Sequence, residues 1–111
     1  TSVKAVMIGL DGQRLAEFAA PYPTALPAPG LVEQAPADWL RLVRAALTEF
    51  AQYGEAIALC VTSQVNTHIF VDAYLRVLHP AIVWSDGRAG IAGALSGNPG
   101  AGGYGRDAGR R

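Results

Sequence analysis

The chain is predicted to be an α/β protein with a mixed sheet, and three observations lead there. A period-two apolar stretch opens it, a single strongly amphipathic helix sits near the middle, and short apolar runs follow that helix. The element order that results is β-β-α-β-β-β. At 111 residues, half of them hydrophobic, this is one domain or part of one, with a modest core.

The first strand is Val3 to Gly9, which alternates loosely and is rich in β-branched residues. Leu10-Asp11-Gly12-Gln13 supplies a hairpin turn, because Asp-Gly tolerates the positive φ such turns require. Arg14 to Ala20 is then the returning strand. From Pro21 to Gly30 four prolines block regular pairing and predict an extended surface connector.

The helix follows. Pro36 suits the first helical position and Asp38 complements the positive end of the helix dipole. Trp39, Val43, Ala46, Phe50 and Tyr53 recur at helical spacing and form one face, which Leu40, Leu42 and Leu47 widen. Gly54 is the stop signal. Beyond it, the uninterrupted apolar run Ala56 to Val61 predicts a strand covered on both sides, with Cys60 as core filler. Thr67 to Val71 predicts another strand, Asp72 to Arg76 a turn, and Leu78 to Trp84 a last strand with Pro80 near its start.

Residues 90–111 differ in kind. They hold eight of the 13 glycines and, among larger apolar side chains, only Ile91, Leu95 and Tyr104. Such a Gly/Ala/Arg-rich tail cannot bury enough surface to offset its ordering entropy, so it is expected to be disordered. A flexible linker and a shifted reading frame in a GC-rich gene both account for its composition.

Charge and composition exclude several functions. Residues 1–89 carry six cationic side chains against eight carboxylates, and the tail three against one, so no surface is basic enough to suggest nucleic acid. No apolar run approaches the ~20 residues that span a bilayer, and nothing resembles a secretory leader. One cysteine precludes an internal disulfide, which makes a reducing cytoplasm the expected location. His68 and His79 lack a second ligand at zinc spacing, so no metal site is expected from them. Neither a dinucleotide-binding glycine fingerprint nor a Walker loop occurs.

The polar cluster worth naming is Thr62, Ser63, Gln64, Asn66 and Thr67, between two predicted strands and at the carboxyl end of the first. Ligands of open α/β sheets bind at that end, and amide side chains suit hydroxyl-rich ligands. A polar loop bonded to its own backbone is the alternative. Trp84 could supply an apolar wall, while Asp86 and Arg88 read as a pair that fixes loop geometry.

Four blocks carry a family resemblance. They are Thr1-Ser2-Val3-Lys4-Ala5-Val6; Pro29-Gly30-Leu31-Val32-Glu33-Gln34 with Pro36, Asp38 and Trp39; Thr62-Ser63-Gln64-Val65-Asn66-Thr67; and Pro80-Ala81-Ile82-Val83-Trp84-Ser85-Asp86-Gly87-Arg88. In this order they resemble the N-terminal part of the FGGY carbohydrate kinases, xylulokinase-like above all, over residues 1–89. The resemblance implies part of an actin-like, ribonuclease-H-like ATPase domain, truncated at both ends. It also implies MgATP as phosphoryl donor and a small sugar or polyol as acceptor, with no membrane or nucleic-acid partner and a homodimer left open for the parent enzyme. By position, Thr1, Ser2 and Lys4 fall where the family faces ATP phosphates. Gln64, Val65, Asn66 and Trp84 fall where it contacts substrate.

The departures from the family pattern also inform. Glycerol kinases carry Arg-Glu where this chain has Val65-Asn66, which argues against glycerol. Xylulokinases usually carry Met-His there, so Asn66 leaves the pentose or polyol open. The Asp of the family's Asp-x-Gly-Thr motif and the catalytic base are expected outside this sequence, so no catalytic residue is assigned within it. On this reading the 111-residue chain alone is inactive. Its alternatives are a non-catalytic binding module or a degenerate product of a truncated kinase gene.

Overall fold

The computed structural model describes residues 1–90; the expectation of a disordered tail lies, Gly90 apart, outside the described residues. Strands β1 (Ser2–Ile8) and β2 (Arg14–Pro21) form an antiparallel hairpin. Its turn is the expected one. Gly12 has φ 82°, Gly9 N–H donates to the Gln13 carbonyl at 2.8 Å, and the Asp11 carboxylate accepts from Gln13 N–H at 3.0 Å.

The strand pleat explains which side of the hairpin packs. Val3, Ala5 and Met7 on β1 and Ala16, Phe18 and Ala20 on β2 share the half-buried face, cross-strand partners in register. Lys4, Val6, Ile8 and Glu17 share the exposed one. Helix α1 (Pro36–Phe50) packs against the hairpin. Pro36 begins it as predicted, and a 3₁₀ turn (Ala51–Tyr53) ends it at Gly54, whose φ of 131° favours glycine.

The buried stripe of α1 is narrower than the sequence pattern suggested. Leu42, Ala46 and Phe50 are buried, Trp39 and Val43 are half-buried, and Leu40, Leu47 and Tyr53 are exposed. A two-stranded hairpin covers only one stripe of a helix, so residues at the edge of the apolar face stay in solvent. Trp39 also meets Tyr22 edge-to-face at a ring separation of 6.2 Å.

A second, smaller sheet joins β3 (Glu33–Gln34) to β4 (Ala81–Ile82) antiparallel. Single bridges extend it on both sides, Ala25 to Glu33 and His68 to Ile82. The Pro-rich connector is thus tied down through Ala25, which prolines alone did not suggest.

Three expected strands are corrected. Residues 56–61 form no strand, and Ile57, Leu59 and Val61 are solvent-exposed. Cys60, expected in the core, is exposed too. The physical reason is pairing: a strand needs a neighbour for its backbone groups, and no described residue bonds to the backbone of 56–61. The strand expected at 67–71 is reduced to bridges at His68 and Val71, and that expected at 78–84 to Ala81–Ile82. Between them the Val71–Val77 bridge closes the predicted turn, in which the Asp72 carboxylate accepts from the N–H groups of Tyr74 and Arg76, both at 2.9 Å.

Candidate functional site

Among the described residues, a network of side-chain hydrogen bonds joins the segment before α1 to the turn after β4. Asp86 is its centre, with a side chain only 1 % exposed. Its carboxylate accepts from Val32 N–H at 2.6 Å, from Arg88 N–H at 2.9 Å, and from the Arg88 guanidinium at 2.7 and 2.8 Å. Arg88 also donates to Glu33 Oε1 at 2.7 Å. Two backbone bonds run alongside, Gly87 N–H to the Gly30 carbonyl at 2.7 Å and Val83 N–H to the Val32 carbonyl at 3.2 Å.

These contacts account for the electrostatics. The Arg88 guanidinium, with the Val32 and Arg88 N–H groups, holds the Asp86 carboxyl well below the usual carboxylate range against the opposing effect of burial. Arg88 is pushed correspondingly up by Asp86 first and Glu33 second. A carboxylate that accepts four bonds has no lone pair placed to take a proton from a substrate, so Asp86 and Arg88 act as a clamp. Glu33 was present in the sequence block that carried the resemblance, but nothing local announced that it would meet Arg88 across 55 positions.

The candidate substrate residues lie at one end of the second sheet. Asn66 and Trp84 each stand two residues from the antiparallel His68–Ile82 bridge, on the side where their chains run past one another. Trp84 is 65 % exposed and Val65 74 %, so neither is enclosed by the described residues. Gln64 donates to Thr67 Oγ1 at 2.7 Å. Asn66 has φ 53°, a left-handed conformation that Asn tolerates better than most residues. That backbone gives position 66 a conformational reason for Asn beside any ligand contact.

The candidate nucleotide residues belong to the hairpin. Ser2 and Lys4 are exposed, and the Thr1 hydroxyl lies 3.1 Å from the Thr24 hydroxyl. Lys4 makes no ion pair among the described residues and borders an open depression with Val6, Glu17 and Ala19. Glu17, the nearest acid on that face, is paired with Arg14. Two hydroxyls and an unpaired ammonium are donors that fit phosphate oxygens. No group of three or more His, Cys, Asp or Glu that could hold a metal ion lies together among the described residues, and no residue is assigned to Mg²⁺.

Comparison with known proteins follows the same blocks. The N-terminal domain of the FGGY family of carbohydrate kinases matches residues 1–96. This chain belongs to that family. The match passes Arg88, and residues 88–90 already have helical backbone. Xylulose kinase of Bacillus subtilis is 28% identical over 93 residues, 79% of this chain and 19% of that protein.

Among solved structures, xylulose kinase from Rhodospirillum rubrum is 32% identical with a TM-score of 0.74 over 89% of this chain and 22% of its own. Gluconate kinase from Lactobacillus acidophilus, at 24% identity and a TM-score of 0.78 over 90% of this chain and 21% of its own, shares the fold. The chain therefore has the actin-like fold of FGGY kinases over the part it spans, about a fifth of the length of these relatives. No helix among the described residues is long and apolar enough to cross a membrane.

Proposed function

We propose that this FGGY chain is the N-terminal part of an ATP-dependent sugar kinase. The intact enzyme transfers the γ-phosphoryl group of MgATP to a hydroxyl of a sugar or polyol, with a xylulose-like pentose favoured. The observation that carries the proposal is the family match over residues 1–96, with xylulose kinases among both the sequence and the structural relatives. Residues 1–89 form the main part of the first domain in this reading, and 90–111 a Gly/Ala/Arg-rich tail whose first residues still fall within the family match.

In this reading Thr1, Ser2 and Lys4 hold phosphate oxygens at the start of β1. ATP supplies the transferred group, and Mg²⁺ neutralises charge that develops on it. Asn66, with Gln64 and Val65 beside it, and Trp84 opposite line one side of the sugar site. Trp84 gives an apolar face to a sugar ring, and the amides of Gln64 and Asn66 meet its hydroxyls. The Asp86–Arg88–Glu33 clamp fixes the turn that carries Trp84. The parent enzyme is placed in the cytoplasm, with neither nucleic acid nor membrane as partner.

The test uses the full reading frame around this chain. Its purified product is assayed for ATP consumption against pentoses, polyols and aldonates. Turnover on a pentose, reduced at least tenfold in kcat/KM by Asn66→Ala, supports the reading. A folded full-length protein that turns over none of them overturns it and leaves a non-catalytic binding role. The 111-residue chain alone is expected to phosphorylate nothing, since the family's catalytic base is expected outside it.

A further inference from the structure

Gln34 is a buried polar residue of the described core, 3 % exposed, and it sits in β3 just before α1. Its Nε2 donates to Thr24 Oγ1 at 2.9 Å, and Thr24 Oγ1 lies 3.1 Å from Thr1 Oγ1. Its Oε1 has no partner among the described residues. Leaving one end of a buried amide unpaired costs stability, and a methionine of equal length would fill the site without that cost. Packing therefore does not account for glutamine here.

We infer that Gln34 is a positioning residue that sets the Thr1 hydroxyl as an outward hydrogen-bond donor through Thr24. Either hydroxyl can donate in the Thr1–Thr24 bond, and the sense assigned to the relay is part of this inference. The Gln34 amide N–H occupies one lone pair of Thr24, and a Thr24 proton given to Thr1 fits the donor inventory. Thr1 then keeps its own proton for an acceptor outside, and each bond in such a chain strengthens the next. The fold holds the middle member in place: Ala25, next to Thr24, exchanges two backbone bonds with Glu33, next to Gln34, at 2.8 and 2.9 Å. Because Gln34 is also the β3 residue paired with Ala81, the relay ties the residue that precedes β1 to the sheet that leads into the Trp84 turn. The inference rests on the proposed reading in one respect, that the outside acceptor is a phosphate oxygen.

Two measurements on the 111-residue chain keep the relay and that reading apart. Three-bond couplings of the Thr1 and Thr24 γ-methyls report whether each hydroxyl holds one rotamer. Titration with inorganic tripolyphosphate, followed at the Ser2 and Lys4 amides, reports anion binding. Both threonines are expected to hold single rotamers. Thr24→Val should release Thr1 and weaken tripolyphosphate about three- to tenfold, the worth of one hydrogen bond. Thr24→Ser should keep both properties. Gln34→Met should act like Thr24→Val while the melting temperature stays level or rises, which a merely structural glutamine would not do.

Rotamer averaging of Thr1 in the unaltered chain, or a Thr1 indifferent to both Thr24→Val and Gln34→Met, overturns the relay. Ordered threonines released by both variants uphold the relay even if tripolyphosphate leaves Ser2 and Lys4 unmoved. That last result would count against the phosphate reading alone.

Discussion

Residues 1–53 and residues 54–80 carry similar apolar content, and only the first stretch turns it into regular structure. The hairpin satisfies its backbone within itself, and α1 does so within its own turns. Each then needs only one apolar face covered, and they cover each other. The run Ala56 to Val61 has equally good strand residues, yet its backbone bonds must come from another strand. None of the described residues supplies one. The difference shows that apolar sequence determines what a segment would do if partnered, while pairing determines whether it does so.

The largest effect that would break this contrast is expected at Phe50, buried at the end of α1. Phe50→Ala should cost about 3–4 kcal/mol by loss of transfer energy and creation of a cavity. In a domain this small that removes most of a cooperative melt followed by circular dichroism. A melt unchanged by Phe50→Ala would mean that the helix does not depend on the hairpin.

Next in size is the clamp. Asp86→Asn should loosen the turn after β4 from the segment before α1, read as lost amide-exchange protection at Val32 and Gly87. The pH dependence has a definite sign. The Asp86 carboxyl is held below its ordinary value of 3.8 chiefly by Arg88, so its contribution is complete above that value. It is lost as pH falls below it towards the depressed one. Protection at these two amides, corrected for intrinsic exchange, should hold from pH 7 to about 5 and decline only below about 4. Equal protection at the lowest pH would show that the backbone bonds suffice.

A smaller effect of opposite sign is expected at Leu75, which has φ 62° in an exposed turn. A left-handed leucine is strained, so Leu75→Gly should stabilise the chain by about 0.5–1 kcal/mol after the entropy of the added glycine. The smallest effect belongs to the unpaired stretch. Leu59→Ser should shift stability by no more than about 0.5 kcal/mol while reducing binding of a hydrophobic dye. A loss of several kcal/mol there would show that residues 56–61 are packed, contrary to their exposure.

Much of the first half was legible because its signals are local. Asp11-Gly12 marked a turn with positive φ, Pro36 marked the first helical residue, and Gly54 marked the end of the 3₁₀ extension. Asp86 and Arg88 read as a pair that fixes a loop, and in the structure their side chains are bonded at 2.7 and 2.8 Å. Glu33 and Gln34 stood in a quoted motif without a role, because their partners Arg88 and Thr24 are distant in sequence or offset by an irregular connector. Cys60 was misplaced for the same reason as its segment: burial is a property of neighbours.

What the sequence by itself determined is the family, the hairpin, the helix and the polar residue types proposed to meet phosphate and sugar. These depend on interactions a few residues apart or on motifs in a fixed order. Only the tertiary structure decided that Asp86 would be buried and fully bonded, that Gln34 would reach Thr24, and that Asn66 and Trp84 would share one end of a ladder. Each of those outcomes joins segments separated by loops, and the free energy of such a contact depends on burial and geometry that no local window contains.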